Sequence, residues 1–68
     1  MTPQEAMRAT GRGPSWTARR VGVERTRLYR LLDGRAPWTA ELRDRFALAL
    51  GVEETAIEWP TEGKGEAA

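Results

Sequence analysis

The chain has 68 residues, of which 31% are charged, yet its formal net charge is only +1. At this length it forms one small domain, because folding buries only about 60% of the surface that the unfolded chain exposes. The absence of cysteine and histidine excludes disulfides, thiolate zinc sites and Cys–His or Ser–His nucleophiles, so neither an enzyme nor a metal or cofactor is expected. No apolar run approaches the roughly 20 residues that cross a bilayer, so we expect a soluble cytoplasmic protein.

The N-terminal part of the sequence predicts two short helices. The segment TPQE at residues 2–5 has the pattern of a capping box, with Thr as the N-cap, Pro at the first helical position and Glu three residues after the cap. This first helix is predicted to stop at Gly11. A second helix is predicted to begin at Pro14 or Ser15 and to end before Gly22.

A third helix is predicted from about Glu24 to Asp33, and Gly34 follows its cap. With Leu28 as the inward reference and 100° per residue, one side of this helix faces the core and the other faces solvent. The predicted inward side comprises Glu24, Leu28, Leu31 and Leu32. The predicted outward side comprises Thr26, Tyr29, Arg30 and Asp33, with Arg25 and Arg27 on its shoulders.

The C-terminal part predicts a longer helix and a short one. Thr39 is the expected N-cap of the fourth helix, and Gly51 is its expected end. A stripe of Leu42, Phe46, Ala49 and Leu50 marks its buried face. The segment VEETAIEW at residues 52–59 predicts a short fifth helix. The expected organisation is therefore one all-α, five-helix domain over residues 1–60, with a flexible tail at 61–68.

The charges are segregated along the chain. From Arg8 to Arg35 there are eight arginines against two acids, a net charge of +6, whereas from Glu41 onward there are three cations against seven acids, a net charge of −4. Ten of the eleven cations are arginine, the side chain that makes bidentate contacts to phosphate and guanine. A basic half of this density favours a polyanion as partner.

One spaced set of residues has the pattern of a helix-turn-helix: A-x3-G-V-x4-L-x2-L-x2-G, from Ala18 to Gly34. In such a unit a small residue allows close helix crossing, and the first glycine supplies a turn with positive φ. The pattern resembles that of the lambda-repressor-like (Cro/repressor, XRE) family. The segments DGRAPW and FALALGVEETAIEW also resemble this family, so the likeness covers almost the whole chain.

The resemblance implies a sequence-specific transcriptional regulator of bacterial, phage or plasmid origin, whose third helix enters the major groove of double-stranded DNA. It also implies a homodimer, at least on DNA. The base-contact residues carried over from the family are Arg25, Thr26, Arg27 and Arg30. The backbone-contact residues are Ser15, Arg20, Tyr29, Arg35 and Trp38. Where the family usually has Ser or Thr as the cap of the third helix, this chain has Glu24, which can accept from cytosine N4.

A protein partner is the alternative reading, in which the fold serves as an interaction module such as an antitoxin or an anti-repressor. The residues that motivate it are Trp16, Trp38 and Leu48. Leu48 falls opposite the buried stripe of the fourth helix and, with Ile57 or Trp59, would form a protein interface. Trp59 either closes the core or contributes to a dimer contact, while Trp16 is either half-buried or covers another protein.

Overall fold

A computed structural model describes residues 1–60, within which the chain is helical and contains no strand. The helices are α1 (Pro3–Thr10), α2 (Pro14–Val21), α3 (Arg25–Leu32) and α4 (Ala40–Leu50), followed by a 3-10 turn at Glu54–Ala56. The prediction of a compact all-α domain is confirmed. The predicted tail, 61–68, lies outside the described residues.

The fifth helix predicted over 52–59 is present only as the 3-10 turn. Glu53 before the turn and Ile57 after it both have extended backbone conformations. The extended conformation at Ile57 accompanies the burial of its side chain, which is 5% exposed and belongs to the core. The chain therefore leaves the helical conformation where its one large aliphatic side chain in this segment packs inward.

The predicted helix starts at Thr2 and Thr39 are confirmed by their hydrogen bonds. The Glu5 backbone N–H donates to Thr2 Oγ1 (3.1 Å) and the Thr2 N–H donates to Glu5 Oε1 (2.8 Å), which completes the capping box. The Leu42 N–H donates to Thr39 Oγ1 at 3.2 Å. At the start of α3, by contrast, Glu24 occupies the cap position without a side-chain cap hydrogen bond.

The core lies where α2 packs against α4 and α3. Its largest fully buried side chains include Phe46, Leu28 and Leu31. Thr17 is fully buried as well, and its hydroxyl donates to the Gly13 carbonyl at 2.8 Å, which satisfies the polar group inside an apolar surrounding. On α4 the inward stripe is wider than predicted, because Ala47 is also buried.

Three aromatic rings close the core beneath the C-terminal segment. Trp38 lies 5.1 Å from Phe46 between ring centroids, in an edge-on arrangement, and 4.7 Å from Trp59. Phe46 and Trp59 lie 5.8 Å apart. Edge-on and tilted pairs at these distances contribute beyond their buried area. The loop before α4 is thereby joined to the segment after it. None of the helices within residues 1–60 combines the length and apolar character that crossing a bilayer requires.

Candidate nucleic-acid interface

The two sides of α3 differ in the way that the sequence predicts. Leu28, Leu31 and Leu32 are buried. The predicted base-contact residues are all exposed: Arg25, Thr26, Arg27 and Arg30. Tyr29, the predicted backbone-contact residue of this helix, is exposed as well. Because the helix is held through its leucines, its outer side chains can contact a ligand without disturbing the core.

The turn before α3 depends on Gly22. This residue has φ 90° and ψ 30°, a left-handed conformation that glycine adopts without steric cost. A Cβ there would also lie 3.3 Å from Arg45 Nη1, so space is tight as well. The Gly22 and Val23 backbone N–H groups both donate to the Ala18 carbonyl, at 2.9 and 3.0 Å. The direction in which α3 leaves α2 is therefore set by backbone hydrogen bonds.

The end of α3 is held equally firmly. Gly34, with φ 79°, donates to the Leu31 carbonyl at 3.2 Å, and the Arg35 N–H donates to the Arg30 carbonyl at 2.8 Å. These two bonds form a Schellman motif, so the predicted role of Gly34 after the cap is confirmed. Gln4 on α1 adds a side-chain bond from Nε2 to the Leu32 carbonyl at 3.2 Å. The exposed Arg35 side chain thus leaves from a backbone of defined geometry.

An open groove of about 430 Å³ runs beside the outer face of α3. Its lining residues are Glu24, Thr26, Arg27, Arg30 and Ala36. The helical-wheel assignment of Glu24 to the inward side is wrong, since this carboxylate is exposed at the rim of the groove. The groove therefore presents two guanidinium groups and one carboxylate, a combination that suits a surface with both acceptors and donors, such as base edges.

The structure brings two of the predicted contacts together across the helices. Arg25 Nη1 donates to Ser15 Oγ at 3.2 Å, so the first residue of α3 lies beside the first turn of α2. Both side chains are exposed. None of the three α3 arginines forms an ion pair with a residue in the described range 1–60. Their positive charge is therefore available to an external anion.

Arg20 is exposed but does not join the α3 groove. It lines a separate groove between α2 and α4, and its guanidinium lies over the Trp16 ring, 5.4 Å from the centroid. Arg12 lies over the same ring at 4.3 Å. This stack was not predicted. The spacing of Trp16 and Arg20 by four along α2 was a usable signal, whereas Arg12 precedes the helix. Trp16 is half-buried, as one of the two alternatives stated.

The assignment of Trp38 to the DNA backbone is corrected. Its side chain is only 4% exposed, and its indole N–H donates to the Leu31 carbonyl at 2.9 Å. The N–H of Trp38 is already bonded and its ring packs against Phe46 and Trp59, so this side chain cannot donate a hydrogen bond to a phosphate. It instead fixes the loop after α3 against the end of that helix.

The three residues of the predicted protein interface have different environments in the structure. Leu48 is 78% exposed, as its position opposite the buried stripe predicts. The assignment of Ile57 to the interface is wrong, because its side chain is buried in the core. Trp59 is half-buried and packs on Trp38 and Phe46, so it closes the core, one of the two roles considered for it. Of the three residues, Leu48 is the one that presents a large apolar surface.

No protein-family model, no curated protein and no solved structure matches the chain.

Proposed function

We propose that this chain is a sequence-specific regulator of the lambda-repressor-like family, which binds double-stranded DNA with α2 and α3 as a helix-turn-helix. The observation that carries the proposal is the outer face of α3, where Arg25, Arg27 and Arg30 are exposed without an ion pair in the described chain. An α-helix with its side chains is about 10–12 Å in diameter, which suits a major groove about 12 Å wide.

Within this proposal the α3 side chains have separate roles. Arg25 and Arg30 donate to guanine O6 and N7, each such pair contributing about 1–3 kcal/mol of discrimination. Arg27 and Thr26 contact bases at the flank of the groove, and Glu24 accepts from cytosine N4. The phosphate contacts come from Ser15, Tyr29, Arg35 and, on the more distant face of α2, Arg20. Tyr29 is 47% exposed, which leaves its hydroxyl able to donate.

The proposal also includes the family's fifth element, its cytoplasmic location and its dimeric state on DNA. The 3-10 turn at Glu54–Ala56 occupies the place of the family's fifth helix. The protein acts in the cytoplasm. A homodimer occupies two half-sites separated by about one turn of DNA, roughly 34–36 Å. The two-fold symmetry of the dimer gives the operator a two-fold symmetric sequence.

The experiment that tests the proposal starts with selection of binding sites from random duplex DNA. Affinity for the selected site is then measured by gel shift at fixed salt for the wild type, Arg25→Ala and Arg30→Ala. We expect each variant to lose about tenfold or more in affinity and to relax specificity at one base position. We also expect affinity to fall steeply as salt is raised, because bound phosphates release counterions.

Two results would count against DNA binding. One is a selection that enriches no sequence, and the other is an unchanged affinity in both arginine variants. The alternative, a protein-interaction module, is favoured by one observation, the exposure of Leu48. A protein partner that binds the arginine variants as well as it binds the wild type would support that alternative.

A further inference from the structure

A second groove lies between α2 and α4, away from the outer face of α3. It has a volume of about 300 Å³ and is lined by Arg19, Arg20, Arg45, Leu48 and Ala49. Leu48 is the most exposed of the large hydrophobic side chains in residues 1–60. The groove thus combines three guanidinium groups with an apolar patch formed by Leu48 and Ala49.

The charge of this groove is only partly compensated. Arg45 Nη2 lies 2.6 Å from Glu41 Oε2, and Arg45 Nη1 makes a long hydrogen bond of 3.4 Å to the Val21 carbonyl. Arg19 and Arg20 have no ion pair with any residue in the described range. All of the charged side chains that line the groove are arginines, so its electrostatic complement is an anionic surface.

The Arg12–Trp16–Arg20 stack extends the basic surface from α2 to the segment that precedes it. The two guanidinium groups lie over one indole ring at 4.3 and 5.4 Å. Stacking holds a guanidinium by its face and leaves its N–H edges able to donate to a carboxylate. Because the aromatic ring restrains both side chains, less conformational entropy is lost when an anion binds them.

We propose that the α2–α4 groove binds an acidic peptide segment of a partner protein, with an apolar side chain on Leu48 and Ala49 and carboxylates on Arg19 and Arg20. Arginine and carboxylate pair through two parallel N–H donors. Arginine clusters that bind acidic motifs and grooves that bind apolar anchors are two recurring modes of peptide recognition. The proposal does not depend on DNA binding by α3, but the peptide and a DNA phosphate compete for Arg20, which is also a proposed backbone contact.

The apolar patch distinguishes this partner from other anions. A phosphate on a nucleic acid gains nothing from Leu48, whereas a leucine or phenylalanine side chain buries apolar area against it. A second copy of the chain fits poorly, since the acidic segment around Glu53 and Glu58 buries Ile57 in its own core. That segment offers carboxylates but lacks an exposed large aliphatic side chain to place on Leu48.

The test is a selection of displayed random peptides on the full-length protein, with Leu48→Ser as the counter-selecting target. We expect the enriched peptides to combine aspartate or glutamate with a large apolar residue. Enrichment of neutral or basic peptides, or no enrichment against the counter-target, would overturn the proposal.

The selected peptide is then titrated against variants of the protein. We expect Leu48→Ser and Arg19→Glu each to weaken peptide binding by roughly tenfold or more. Arg27→Glu is the matched control, because it makes the same change of net charge in the α3 groove and should leave peptide affinity unchanged. Affinity for duplex DNA should be unchanged in Leu48→Ser, and circular dichroism melting should show that each variant is folded.

Four outcomes would contradict the proposal. Equal losses in Arg19→Glu and Arg27→Glu would show attraction by net charge alone, without a groove. Weaker DNA binding in Leu48→Ser would assign the groove to nucleic acid. Binding to vesicles of anionic lipid that disappears in Leu48→Ser would assign it to a membrane surface. Self-association of the wild type that is lost in Leu48→Ser, measured by sedimentation, would assign it to a second copy.

Discussion

Arginine has different roles in two regions of this molecule. On α4, Arg43 Nε donates to Glu54 Oε2 at 3.3 Å, and Arg45 Nη2 lies 2.6 Å from Glu41 Oε2. On α3, by contrast, the arginines are exposed and form no ion pair with the part of the chain that the structure describes. Arginine therefore forms ion pairs on α4, whereas on α3 its guanidinium groups are exposed and can contact a ligand.

The difference comes from where the acids lie. Glu41 precedes Arg45 by four residues on one helical turn, and the 3-10 turn brings Glu54 against Arg43. The outer face of α3 has acids only at its two ends, Glu24 and Asp33, and neither makes an ion pair within 4.0 Å with a described residue. Substitutions in the two regions should accordingly separate effects on stability from effects on binding.

The largest effect is expected from Trp38→Ala, in the region where packing dominates. Loss of a buried tryptophan should lower the free energy of unfolding by about 3–5 kcal/mol, most of the stability that a domain of this size has. Urea denaturation followed by circular dichroism measures this change. Trp38→Phe is the control, because it retains an aromatic ring. It should cost only about 1–3 kcal/mol, because the Leu31 carbonyl loses its donor and the smaller ring leaves space in the core. Weaker DNA binding in a Trp38→Phe variant that remains folded would mean that Trp38 contacts the DNA.

Arg30→Ala should show the opposite behaviour. We expect the binding free energy for the selected DNA site to fall by about 1–3 kcal/mol, while the free energy of unfolding changes by no more than about 0.5 kcal/mol. Arg43→Ala is the matched variant on α4, with a stability loss of about 1 kcal/mol from its hydrogen bonds and unchanged DNA affinity of the folded protein. Gel shifts measure the DNA affinity of both variants, and urea denaturation measures their stability. The comparison fails if both variants lose DNA affinity or both lose stability.

The two helix starts provide a finer comparison. Thr39→Ala should lower stability by about 1 kcal/mol, because the Leu42 N–H loses its acceptor. Glu24→Ser should raise stability by a few tenths of a kcal/mol, because serine can accept from the first turn of α3, where Glu24 makes no such bond. Thermal melting measures both. A destabilised Glu24→Ser variant would mean that the carboxylate stabilises α3 through its charge near the helix N-terminus.

The smallest effect is expected from Glu41→Gln. The pair of Glu41 with Arg45 is a surface ion pair at helical spacing, with both side chains about half exposed or more. Its removal should cost about 0.3–0.5 kcal/mol, and less at high salt. Melting temperatures at two salt concentrations measure it. A cost that does not depend on salt would mean that Glu41 acts by hydrogen bonding to Arg45 rather than by charge.

Local patterns predicted the helix boundaries well because caps and glycines act over a few residues. The capping box at Thr2, the cap at Thr39 and the left-handed Gly22 and Gly34 all appear as expected. The fifth helix was overpredicted, since the conformation of Ile57 depends on where its side chain finds the core. A helical propensity over eight residues is too weak to resist such packing.

The candidate site was predicted in part. The outward positions of Arg25, Thr26, Arg27 and Arg30 follow from helical periodicity once Leu28 is taken as buried. Periodicity cannot show which side chains meet across two helices, so the bond between Arg25 and Ser15 had no signal in the sequence.

By itself, the sequence determined an all-helical chain, most of its helix ends and the exposure of the α3 arginines, because these follow from capping and from the 3.6-residue period. Only the tertiary structure decided the environment of each tryptophan. Trp38 is buried with its N–H bonded to Leu31, Trp59 closes the core, and the ring of Trp16 is in contact with two guanidinium groups. An indole fits a core, a lid or a cation-binding surface equally well, so its partners depend on which elements fold against it.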